Sequence, residues 1–143
     1  MSGNKEAIME LKEFDASNVR LVVSLDDLGT MSNALNEVCN GFEVADFHTK
    51  MGGNEQEVER ILDDIIPIYR QMERTESPRA LVRFSRFELG AIIGALKEVC
   101  RGLDPDEFSI RMGATRAEVD EILDSIVPIY QKMKEAEGAT SDD

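Results

Sequence analysis

Ser24 to Met72, SLDDLGTMSNALNEVCNGFEVADFHTKMGGNEQEVERILDDIIPIYRQM, returns 61 positions later without a gap as Ser85 to Met133, SRFELGAIIGALKEVCRGLDPDEFSIRMGATRAEVDEILDSIVPIYQKM. Of the 49 aligned positions 22 are identical, enough to make an internal repeat the first organising fact. A lone unit of about 60 residues would bury only ~60% of its unfolded surface and be marginally stable. Two such units therefore gain most by packing on each other as one domain.

Each unit reads as a short strand and three helices. Val19 to Val23 and Leu81 to Phe84 are β-branched and apolar, and suit a two-stranded ribbon joining the halves. Ser24 with Asp27, and Ser85 with Glu88, have capping-box spacing and open the first helix of each half. Its apolar stripe runs Leu28, Met31, Leu35, Val38 in one half and Leu89, Ile92, Leu96, Val99 in the other, stopping near Gly41 and Gly102. Gly29, Gly90 and Gly94 lie inside these helices, where glycine costs about 1 kcal/mol against alanine, so close packing is the expected reason. A short second helix buries Phe47 and Met51, or Phe108 and Met112; Asp104-Pro105 is a good start for the latter. The third helix, opened by Asn54 with Glu57 or Thr115 with Glu118, contains Pro67 or Pro128. The stripe stays in phase beyond each proline, which predicts a bend rather than a stop.

The fold expected is mainly α: a tandem pseudo-two-fold repeat, with an arm over 1–18, repeats over 19–76 and 77–134, and a disordered acidic tail over 135–143. In the arm, Ala7, Ile8, Leu11 and Phe14 are spaced for a short helix, while Met9, Leu11 and Glu13 alternate as in a strand. A short helix or irregular arm is the reading taken.

Several chemistries find no support. His48 is the single histidine, and its counterpart is Ser109, so neither a zinc site nor a duplicated nucleophile–histidine pair is expected. No phosphate-binding glycine loop or calcium loop occurs, and no cofactor is expected. Cys39 and Cys100 are equivalents and are read as small buried residues at helix ends; if they faced each other, a bridge would be possible. No apolar run reaches the ~18 residues of a membrane span, and the first residues do not pattern as a signal peptide, so a cytoplasmic location is expected.

Net charge is −13, which opposes phosphate backbones and anionic membranes and favours a basic protein partner. Phe47 to Val58 and Phe108 to Val119 each resemble the corner of a helix-turn-helix, but the helix that would enter DNA is acidic, and Lys50, Arg111 and Arg116 are few. More broadly, Leu35-Asn36-Glu37-Val38-Cys39-Asn40-Gly41, then Phe47, then Lys50-Met51-Gly52 and an acidic third helix resemble a class of small bacterial helical proteins of unassigned function. That resemblance implies the fold and no activity.

Helical phase puts Glu37 and Glu98 opposite the first helix's apolar stripe, and Asp63 and Asp124 opposite the third helix's. With Glu59 and Asp120 they are the candidate partner-binding residues; solubility and ion-pair support are the alternative explanation. Three functions remain: an interaction module for a basic partner, acting as inhibitor, antitoxin-like neutraliser or adaptor; a helix-turn-helix regulator; and an enzyme or ligand carrier using a cleft between repeats. A homo-oligomer is compatible with any of these.

Overall fold

The computed structural model describes residues 10–141, with side chains from 11 to 138. Six helices and three strands form among these residues. The order is β1 (Glu10–Phe14), β2 (Asn18–Ser24), α1 (Leu25–Asn36), α2 (Phe47–Met51), α3 (Glu55–Arg74), β3 (Arg79–Ser85), α4 (Arg86–Gly102), α5 (Pro105–Met112) and α6 (Arg116–Ser141). A π-helical turn, Glu37–Gly41, extends α1. After β1, the sequence of strand, helix, short helix and long helix occurs twice.

β2 and β3 form the expected antiparallel ribbon, from Asn18 opposite Ser85 to Ser24 opposite Arg79. Those two end pairs interchange under the 61-residue offset. Two backbone bonds do the same: Leu25 N–H donates to the Pro78 carbonyl at 2.8 Å and Arg86 N–H to the Ser17 carbonyl at 2.8 Å. The arm departs from expectation. Glu10–Phe14 is neither helical nor irregular but a third, antiparallel strand on the outer edge of β2, giving the order β1-β2-β3. The unpaired backbone of β2 supplied a partner that helical propensity over five residues could not match. Residues 1–9 lie outside the described part.

Val19, Leu21 and Val23 of β2 and Val82 and Phe84 of β3 point inward against the helices, in one core shared by both halves. α1 and α4 lie at its centre. Each packs on the other, on the long helix of its own half, and on the short helix of the opposite half. The glycines allow this approach. A Cβ on Gly29 would lie 2.9 Å from the Tyr69 ring, one on Gly90 2.9 Å from the Tyr130 hydroxyl, and one on Gly94 2.5 Å from the Lys50 carbonyl oxygen.

α3 and α6 run through Pro67 and Pro128 without a break. Both prolines are exposed, as are Asp63 and Asp124, whose carbonyls they release, so water can take up the freed acceptors. The acidic tail also needs correcting: residues 135–141 continue α6. Glu135, Ala136 and Glu137 are good helix formers, and Glu137 is anchored by an ion pair with Arg86 at the start of α4.

Candidate functional site

The candidate acids separate into two groups. Glu37 and Glu98 are not outward residues; their exposures are 9% and 6%. The polar faces of α1 and α4 are covered by the short helix of the other half. There Glu37 Oε1 accepts from Arg111 Nη2 at 2.5 Å, and Glu98 Oε1 lies 3.5 Å from Lys50 Nζ, with its other oxygen 2.5 Å from Arg101 Nη1. Lys50 and Arg111 are themselves repeat equivalents, so each half sends a cation to the other half's buried carboxylate. Arg111 also donates to the Gly41 carbonyl at 3.0 Å and closes the π-helical turn. A Cβ on Gly41 would sit 2.0 Å from the Glu37 carboxylate and 2.8 Å from Arg111 Nη2, so any larger residue there would displace the pair.

Glu59, Asp63, Asp120 and Asp124 are exposed as expected, on the outer faces of α3 and α6. Glu59 precedes Asp63, and Asp120 precedes Asp124, by one helical turn. Such like-charged neighbours cost ~0.2–0.5 kcal/mol per pair. Neither pair is relieved by an ion-pair contact among the described residues.

At the corner read as resembling a helix-turn-helix, α5 ends in a left-handed turn at Gly113 (φ 68°) and α6 begins capped by Thr115 and Glu118. Its three named cations all have partners. Lys50 and Arg111 are paired as above, and the Arg116 guanidinium sits 5.7 Å from the centre of the Phe108 ring. His48 is exposed. Among the described residues no group of three or more His, Cys, Asp or Glu side chains is placed to hold a metal.

Cys39 and Cys100 are unbridged and half-buried rather than buried. Burial, then Glu59 and Glu55, push the Cys39 thiol up to about 11; burial leads the upward shift of Cys100.

A cleft does exist between the halves. It has a volume of about 490 Å³, and its walls include Ser17, Thr49 and Lys50 from one half and Arg86, Phe87 and Tyr130 from the other. Its two cations face Glu98 and Glu137, and Ser17, Thr49, Ser85 and Tyr130 are its other side chains with polar atoms. A second hollow of about 550 Å³ lies between the C-terminal part of α3 and the start of β3.

Asp27 was not legible as unusual. Ser24 Oγ accepts from its N–H at 3.0 Å, but unlike Glu88 in the other half its side chain does not return a bond to the cap residue. Asp27 Oδ2 is buried with no hydrogen-bond partner among the described residues. Burial foremost, with Asp26, Glu118 and Glu121 adding to it and the Ser24 bond opposing, pushes its carboxyl up to about 6.

Comparison with protein-family models, with characterised proteins and with solved structures gave no match. Among the described residues no helix is long and apolar enough to cross a membrane.

Proposed function

We propose that this protein is a non-catalytic interaction module that binds a basic partner protein through the outer faces of α3 and α6, as an inhibitor, antitoxin-like neutraliser or adaptor. One observation carries the reading: Glu59 with Asp63, and Asp120 with Asp124, place like charges one turn apart on exposed helix faces in both halves, and none of the four is in an ion pair among the described residues, although Arg60 and Arg116 lie within a turn of Asp63 and Asp120. A basic surface would relieve that repulsion and be steered by it. Glu37 and Glu98 no longer belong to the binding set, since their carboxylates are already neutralised inside. The reading includes tandem duplication of one unit about a pseudo-two-fold axis, supported by the interchanging register pairs of β2 and β3. The helix-turn-helix alternative is weakened by the engagement of Lys50 and Arg111.

The test is affinity capture from native cell extract at low salt, with the parent chain and a variant carrying Glu59→Gln, Asp63→Asn, Asp120→Asn and Asp124→Asn. A basic protein retained by the parent, lost from the variant and released as salt rises to the physiological range supports the proposal. Equal retention by both chains, or retention indifferent to salt, refutes it.

A further inference from the structure

We propose that the free edge of β3 is a docking site for an extended segment of another protein, which adds to the sheet as a fourth strand antiparallel to β3. Among the described residues β3 is the terminal strand, and no backbone bond reaches its outer side. An edge of this kind is a ready template for strand addition.

The chain supplies its own template for the occupant. Under the 61-residue offset, the outer edge of β2 corresponds to the outer edge of β3, and β1 already fills the former. Glu10 lies opposite Val22, Leu11 opposite Leu21, Glu13 opposite Arg20 and Phe14 opposite Val19. The corresponding positions on β3 are Arg83, Val82, Leu81 and Ala80. Where β1 would have its mate, the structure has the 550 Å³ hollow, whose sheet wall is Arg79 and Ala80 and whose helix wall includes Pro67, Ile68 and Met72. Ile68 is partly exposed there, whereas its equivalent Ile129 is only 8% exposed. A side chain placed like Phe14 would enter this hollow beside Ala80.

Charge defines the occupant further. On the outward face β3 presents Arg79, Leu81 and Arg83, with Leu81 50% exposed. Arg83 stands directly opposite Arg20 on β2, an unfavourable like-charge pair in a chain of net charge −13. Arg20 has Glu13 at 3.3 Å, while Arg83 and Arg79 have no ion-pair partner among the described residues. The segment that fits carries an acid opposite Arg83 and apolar side chains opposite Val82 and Ala80. Pairing with the β3 edge of a second copy would instead bring arginines together, which argues against self-association through this edge. The site is separate from the acidic helix faces, and its failure would leave the reading of those faces untouched.

The probe is a fluorescent peptide with the sequence of residues 7–17, which contains the β1 pattern, titrated into the full chain and read by anisotropy. Arg83 is exposed, so Arg83→Glu should leave the circular dichroism spectrum unchanged. Saturable binding that Arg83→Glu weakens at least about tenfold, and that a Glu10→Lys peptide restores to the variant, is the expected result. No binding at millimolar peptide overturns the proposal. Binding indifferent to Arg83→Glu also overturns it, because the peptide would then be replacing β1 on β2. So does concentration-dependent self-association of the chain that Arg83→Glu abolishes, which would give the edge to a second copy.

Discussion

Glu37 in the first half and Arg111 in the second meet at 2.5 Å, and the residues equivalent to them, Glu98 and Lys50, meet in the opposite sense at 3.5 Å. A carboxylate this far from solvent is tolerated only with its cation in place. Arg111→Met should therefore destabilise the protein by about 2–3 kcal/mol in urea denaturation, because it strands Glu37. Lys50→Met should cost less, since Arg101 still reaches Glu98. A double-mutant cycle on Glu37→Gln and Arg111→Gln should show favourable coupling; additive effects would contradict the pairing.

The pH dependence of stability should report Asp27. A carboxyl whose folded pKa, about 6, exceeds its ordinary value of 3.8 favours the fold when protonated. Its contribution is complete below the ordinary value and disappears as pH rises through about 6. The side chain is partly exposed, so solvent screening reduces the effect to about 1 kcal/mol. Asp27→Asn should be more stable than the parent near neutrality by about that amount, with the difference vanishing near pH 4. Equal pH–stability curves for the two chains would contradict this assignment.

Gly94 and Gly138 should respond oppositely to alanine. A Cβ at Gly94 would be driven against the Lys50 carbonyl and force α4 away from α2, at a cost of about 2 kcal/mol. A Cβ at Gly138 meets nothing within 4 Å, so the helix-propensity gain of up to about 1 kcal/mol should appear as a raised Tm. Thermal unfolding of the two single variants separates these outcomes.

Cys39 should alkylate slowly at neutral pH. Its thiol is pushed up to about 11, and the thiolate is the reactive form. Rates with iodoacetamide should be well below those of the unfolded chain and rise steeply with pH; a fast reaction at neutrality would show an ionised Cys39.

The ribbon, the capped starts and the helices persisting beyond Pro67 and Pro128 were legible because each rests on local pattern: alternation, cap spacing and phase. β1 was not, because five residues with mixed periodicity take their conformation from the β2 edge beside them. Glu37 and Glu98 were misplaced because a helical wheel assumes one buried face, whereas α1 and α4 are covered on several sides. A signal was available: opposite charges at Glu37 and Lys50 recur at Glu98 and Arg111, as a reciprocal pairing requires. Asp27 turned on one methylene. It has the spacing of a capping box but lacks the reach of Glu88, which no pattern of residue classes records.

The exchange of Lys50 and Arg111, together with the β2–β3 ladder, has a further consequence for the chain's covalent continuity. Apart from the bond from the Leu25 N–H to the Pro78 carbonyl, none of the contacts described between the halves lies in the segment from Thr75 to Pro78. A protease cut there should yield two fragments that stay together through gel filtration and separate only when denatured. Either fragment, produced without its complement, would be left with an unpaired strand edge, and the first with Glu37 stripped of its cation, and so would be driven to seek a replacement mate.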